Sequence, residues 1–164
     1  MHEITPPHCL NCSDLEARLV SAKCNEYNRA MANRSRDWFR QAEADQEHAE
    51  ASAKEADYEW SCFAAQQGAE KALKALYYSL HGDPWGHSLL ALIQGLPAEL
   101  QARIPKELPD SARALDKLYI QTRYPNGFDA GAPTDYYTER DARESIAHAK
   151  SILEFCRAKI HQPG

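Results

Sequence analysis

The chain has little that would carry it across or onto a membrane. It contains no apolar run approaching the roughly 20 residues needed to span a bilayer. Its first residues, MHEITPPHCLNCSD, lack the basic and apolar regions of a secretory signal. An excess of positive charge is also missing: the formal net charge is -5 and the isoelectric point lies near 5.8. That balance argues against a domain devoted to wrapping a phosphate backbone, while leaving room for a local basic pocket. Glycine is scarce, with 7 in 164 residues. No segment shows sustained strand alternation, no repeat is visible and no low-complexity tract interrupts the chain. A cytoplasmic protein with reduced cysteines is the expectation.

At 164 residues the chain is long enough to bury a core without disulfides or metal. Residues 1–33 read as an N-terminal arm. It opens with Pro6-Pro7, carries cysteines at 9, 12 and 24, and has one short helix expected from Ser13. Met31-Ala-Asn-Arg-Ser-Arg resembles the start of a domain, so Met31 is a candidate initiator, with a small added arm as the alternative. Residues 34–164 read as the bundle proper. Cys9-x2-Cys12 with His8 and Cys24 invites a zinc reading, but zinc sites built from such pairs need a second closely spaced pair. No metal or cofactor is expected.

Helical periodicity dominates from Arg36 onward. Asp37 to Lys54 carries a narrow stripe of Trp38, Ala42, Ala49 and Ala53, in which Asp45 also lies. A carboxylate there needs a partner, and a structural ion pair is the first expectation. Gln46 follows Asp45 and makes this helix less greasy. Trp60 to Leu80 is the strongest helix, with Ala65, Ala69, Leu73, Leu76 and Leu80 at three- and four-residue steps and Glu70 and Lys74 suitably spaced to pair. His81-Gly82-Asp83-Pro84 ends it, the glycine suiting a helix C-cap. Short helices follow over Ser88 to Gln94 and Ala98 to Ile104, then a helix over Ser111 to Gln121. Tyr124 to Tyr137, with two prolines and two glycines, reads as a loop. Thr138 and Asp141 form a capping box for a last helix whose stripe is Ala142, Ile146, Ala149, Leu153, Cys156 and Ile160. The fold class is therefore all-α, an antiparallel four- to five-helix bundle with an N-terminal helical arm.

Candidate site residues cluster in two places. Tyr119 and Arg123 are four apart and share a helix face, with Tyr124-Pro125 breaking the helix immediately afterwards. Arginine offers a planar, permanently charged fork for phosphate, and tyrosine rings can stack on a base. The alternative is that these rings close the bundle end and Arg123 pairs with Asp45 or Glu70. Gln66, Gln67, Glu70 and Lys71 form a polar patch suited to a base edge or ribose, or equally to fixing helix register or a dimer interface. His87 either caps the short helix after it or contacts a ligand.

DWFRQAEAD at 37–45, CFAAQQGAEKALKAL at 62–76, LDKLYIQTRYP at 115–125 and ERDARESIAHAKSILEFC at 139–156 together resemble the HEPN family of small helical proteins. The resemblance spans residues 34–160. It implies a helical bundle, commonly a homodimer, often paired with a minimal nucleotidyltransferase as a toxin–antitoxin module. Some members are ribonucleases, with RNA as substrate, and others bind nucleotides. The ribonuclease members carry an Arg followed by a His on the last long helix, which Arg143 and His148 match here in spelling. The residue after Arg143 is Glu144, and Lys150 stands where those members have tyrosine. Five residues advance a helix by about 500°, leaving the two side chains roughly 140° apart. They would converge only across a dimer, so a non-catalytic nucleotide-binding module is the leading expectation, with a metal-independent ribonuclease toxin or a structural homodimeric scaffold as alternatives.

Overall fold

The computed structural model describes residues 12–160. Its elements are α1 (Cys12–Lys54), α2 (Tyr58–Ser79), α3 (Leu89–Gln94), α4 (Ala98–Gln101), α5 (Leu108–Asp116), α6 (Leu118–Gln121) and α7 (Glu139–Ile160). Two single 3-10 turns, Pro125–Gly127 and Pro133–Asp135, lie in the loop before α7. Among the described residues there is no strand, and no helix is long and apolar enough to cross a membrane. The fold is the expected all-α bundle.

Helix α2 is the central rod, packed against α1 and against α7. Both α2 and α7 run opposite to α1. Ser61 Oγ donates to the Ala49 carbonyl at 2.8 Å and Ser35 Oγ to the Ala75 carbonyl at 2.8 Å. Gln46 Nε2 reaches the Ile146 carbonyl at 3.3 Å, while Arg157 meets Glu43 further along. The α1–α2 seam is made of small residues. Ala42, Ala49, Ala65 and Ala69 are fully buried, and a Cβ added at Gly68 would meet the Ala42 carbonyl oxygen at 3.1 Å. Close approach of two backbones there is what requires glycine. Larger side chains, Leu73, Leu76, Leu89, Leu108, Leu115, Ile152 and Leu153, fill the space among α2, α3, α5 and α7.

Both long N-terminal helices end by the same device. Ala56 (φ 65°) and His81 (φ 59°) take the left-handed position after the C-cap. The next amide then donates back into the helix, Asp57 N to the Ser52 carbonyl and Gly82 N to the Tyr77 carbonyl, each at 2.9 Å. The expected glycine C-cap is thus displaced by one residue: His81 takes the left-handed conformation and Gly82 lies against the Tyr77 ring. At α7 the capping box forms as expected, Asp141 accepting from the Thr138 amide at 2.9 Å while Thr138 Oγ1 accepts from the Asp141 amide at 3.4 Å.

Three other expectations are corrected. The short arm helix and the Asp37–Lys54 helix are one continuous rod, α1, about 65 Å long. The helix expected over 111–121 starts earlier, at Leu108 with Pro109 in its first turn, and breaks after Asp116. There the Asp116 carboxylate is drawn across to α3, accepting from Ser88 Oγ and from the Leu89 and Leu90 amides at 2.8, 2.6 and 3.2 Å. The α3 N-terminus is therefore capped by Ser88 and Asp116, not by His87. The cysteine and histidine positions weighed for zinc, 8, 9, 12 and 24, lie outside the described side chains.

Candidate functional site

Glu70 lies one face around from the apolar stripe of α2 and its side chain is 5 % exposed. A carboxylate so withdrawn from water needs donors, and it has four. Lys74 Nζ, one turn along, lies 2.9 Å from Oε1, the pair expected from their spacing. Gln66 and Gln67 Nε2 approach Oε2 at 3.3 and 3.4 Å. His87 Nδ1 stands 3.1 Å from Oε1, brought there by the α2–α3 connection. Gln66 is fully buried and also reaches the His87 carbonyl, so it braces the connection and is closed to a ligand.

The His87 ring stacks on Tyr119 of α6, centroids 4.6 Å apart and planes 16° from parallel. Tyr119 in turn holds Arg123. The Arg123 Nε donates to the Tyr119 carbonyl at 3.0 Å, with Nη2 on the same oxygen. The guanidinium carbon lies 4.4 Å from the Phe63 ring centroid, 4.8 Å from Tyr119 and 5.3 Å from Tyr124. Among the described residues no carboxylate forms an ion pair with Arg123; the alternatives Asp45 and Glu70 are both taken elsewhere. A half-buried guanidinium seated on three rings, with donors left over and no counter-ion, is electrostatically prepared for an anion.

Asp45 finds the partner its position demanded, Lys71 of α2, and accepts a second bond from Gln41 at 2.8 Å. Asp45, His48, Trp60, Phe63, Ala64, Gln67 and Lys71 line a cavity of about 220 Å³ between α1 and α2. Phe63 is a wall of this cavity and also a platform for Arg123.

The structure thus brings Glu70, His87, Tyr119, Arg123 and Tyr124 into one chain of contacts, with Gln66 beneath. Arg143 and His148 stand apart from it on α7. Arg143 is exposed, whereas His148 is half-buried with Nδ1 3.0 Å from Ser111 Oγ of α5. Phe63 and Trp60 are the members that sequence reasoning did not single out. The signal was available in retrospect: Trp60, Phe63, Gln67 and Lys71 recur at helical spacing on one face.

Titration behaviour is perturbed elsewhere. Burial pushes the Cys62 thiol up to about 11, against a lowering hydrogen bond from Ser145, and burial with nearby Cys62 and Asp141 pushes Tyr137 up to about 12. Burial also raises Cys156 and Tyr77. Both thiols are structural.

Fold and site together define a small helical bundle protein whose Arg123 is seated on three rings and, among the described residues, pairs with no carboxylate. The HEPN domain model matches residues 35–159. TT1696 from Thermus thermophilus is 44% identical, with a TM-score of 0.75 over 77% of this chain and 98% of that one. ST0689, described as an archaeal HEPN homologue, is 40% identical, with a TM-score of 0.65 over 77% and 97%. A HEPN domain protein from Thermotoga maritima, tm0613, is 30% identical, with a TM-score of 0.60 over 77% and 99%. No functionally curated protein matches the chain. The chain belongs to the HEPN domain family.

Proposed function

We propose that this protein is a non-catalytic nucleotide-binding module, with Arg123 as the phosphate anchor and the exposed Tyr124 ring as a stacking surface. The observation that carries the reading is the state of Arg123: immobilised on Phe63, Tyr119 and Tyr124, yet paired with no carboxylate among the described residues. An anion arriving there meets donors already oriented, so little side-chain ordering opposes binding. Tyr119 is occupied by His87 and serves as support.

The module acts with a minimal nucleotidyltransferase, as a homodimer, in a toxin–antitoxin setting. Half-exposed Trp60, Ile120 and Tyr124 near the site supply apolar surface for a partner. The ribonuclease alternative draws no support from Arg143 and His148, whose surroundings differ and which do not meet within the chain.

Calorimetric titration with AMP tests the reading. Arg123→Ala removes the charge-assisted hydrogen bonds to phosphate, typically worth about 1.5–3 kcal/mol, so affinity falls at least tenfold. Arg123→Lys keeps the charge but loses the planar fork, and recovers only part of it. Equal affinity in wild type and Arg123→Ala refutes the assignment. Co-purification with a nucleotidyltransferase expressed from the neighbouring gene, and growth arrest with each alone, tests the partnership.

A further inference from the structure

Three arginines line one cavity where α7 ends. Arg36, Phe39, Arg40 and Glu43 of α1 face Arg157 and Ile160 of α7 across about 500 Å³, a space that shares no residue with the Arg123 seat. Arg36, Arg40 and Glu43 recur at four- and three-residue steps, so one face of the helix carries them. Arg157 is already committed. It donates to Glu43 at 2.9 Å and lies over the Phe39 ring, 5.5 Å from its centroid. Arg36 is exposed and forms no ion pair among the described residues. Arg40 has Asp37 at 3.6 Å, with the two side chains 83 % and 55 % exposed, and an ion pair so open to water is weak and readily exchanged. A chain of net charge -5 thus carries two available guanidinium forks beside a largely covered apolar floor, Phe39 and Ile160.

We infer that this groove docks an acidic helical segment of a partner protein, with carboxylates on Arg36 and Arg40 and an apolar side chain against Ile160. Arg36 and Arg40 are separated by a rise of about 6 Å along α1. Carboxylates four residues apart on another helix have the same rise, so one face of that helix fills both forks. Guanidinium and carboxylate pair bidentately, which fixes orientation as well as register. A cavity of about 500 Å³ lies in the range that encloses a whole ligand, which is more than a lone phosphate fills. The overall charge of -5 repels a long phosphate backbone outside the groove, whereas a short acidic segment meets little besides the groove itself. From Arg36 α1 continues toward Cys12 past the last residue of α7, so a docked helix has a rod to lie along. Glu43 and Asp37 oppose docking, but the first is neutralised by Arg157 and the second stands in water.

Fluorescence anisotropy on the whole chain tests this, using a labelled helical peptide of Glu, Ala and Leu with glutamates four residues apart. Wild type binds this peptide and does not bind the same peptide with Gln in place of Glu. Binding weakens as salt rises from about 50 to about 300 mM, because the screening length shortens. The Arg36→Ala, Arg40→Ala double variant binds about tenfold or more weakly, as expected of losing two exposed charged contacts. Both side chains are exposed, so the variant keeps the wild-type melting temperature within a few degrees. Glu43→Gln removes an opposing charge and tightens binding several-fold, a gain that a purely structural Glu43–Arg157 pair does not give. Arg123→Ala leaves peptide binding unchanged, which separates this groove from the nucleotide reading. No binding of the Glu peptide, equal binding of the Gln peptide, or full affinity in the double variant overturns the inference. So does a single-stranded RNA of equal charge that binds more tightly through the same two arginines. A dimer in sedimentation that the double variant dissolves also overturns it, and assigns the groove to a second copy.

Discussion

His87 Nδ1 lies 3.1 Å from Glu70 Oε1 although the two side chains differ tenfold in exposure, 55 % against 5 %. The histidine is thus the outer end of a contact whose inner end is buried between helices. Through its stack on Tyr119 it connects that buried carboxylate to the residue that seats Arg123. The α2–α3 connection and α6 are separated in sequence, and this one contact fixes them against α2 together.

Removing the carboxylate therefore has a structural cost before any binding is measured. In Glu70→Gln the Lys74 ammonium, whose side chain is 12 % exposed, loses its counter-charge while remaining over the Trp38 ring. Breaking one side of a buried pair costs about 3–5 kcal/mol. At roughly 2–4 °C per kcal/mol for a chain of this size, the melting temperature falls by about 6 °C or more. A melt within about 2 °C of wild type, less than the shift for a single kcal/mol, would mean that Lys74 reaches water without Glu70.

Gly68 offers a sharper test of the helix seam. Alanine there gains helix propensity but places its Cβ 3.1 Å from the Ala42 carbonyl and 3.4 Å from the Gln46 amide nitrogen, both backbone atoms that cannot rotate away. Gly68→Val adds two methyls to that contact and pushes α1 off α2. Overpacking of this kind costs about 1–3 kcal/mol or more. Urea denaturation should show the midpoint of Gly68→Val well below wild type, with Gly68→Ala between them. A valine variant as stable as wild type would contradict the close approach.

Much of this seam was only half legible in the sequence. On α2 and α7 the stripes Ala65, Ala69, Leu73, Leu76 and Ala142, Ala149, Leu153, Cys156 are buried as their spacing indicates, whereas Leu80 at the end of its stripe is exposed and Ile146 and Ile160 are only partly buried. On α1 the buried face includes Ser35, Phe39, Ala42, Gln46, Ala49 and Ser52, three of them polar. A hydrophobicity pattern cannot see a serine whose hydroxyl bonds a carbonyl 40 residues away, nor Gln46, whose Oε1 is buried without a partner. At the site, the four-residue spacing of Tyr119 and Arg123 was readable as a shared face. That Asp45 needs a cation was equally readable, but its being Lys71 depends on helix register. His87 turning toward Glu70 depends on a loop path that local sequence does not encode.

The turn between α1 and α2 should accept glycine with profit. Ala56 holds φ 65°, where a Cβ crowds the following carbonyl at a cost of about 1–2 kcal/mol. Its own amide donates to Ala53 and the next to Ser52, so the backbone geometry is enforced by the helix end. Ala56→Gly relieves the crowding and gives back part of it as unfolded-chain entropy. Scanning calorimetry should register a net rise of a few degrees. A fall would mean the alanine methyl packs favourably enough to outweigh its conformation.

Alkaline unfolding follows from two groups near enough to feel each other's charge, Cys62 on α2 and Tyr137 in the loop before α7. Cys62 ionises at about 11 in the folded protein against 9.0 ordinarily, and Tyr137 at about 12 against 10.0, burial being the leading cause for each. Both are acids held in their neutral form by folding. Above pH 9 the unfolded chain loses these protons while the native state keeps them, so the unfolded state binds fewer protons and stability falls with pH. The stabilising contribution is whole below pH 9 and is lost between about 9 and 12 as each group passes from its unfolded to its folded value. Cys62→Ser and Tyr137→Phe each remove one titration. Of the two, Tyr137→Phe keeps the ring and should flatten the decline above about pH 10, read as urea midpoints measured from about pH 8 to 11.5. An unchanged slope in both variants would mean that the alkaline loss does not arise from Cys62 or Tyr137.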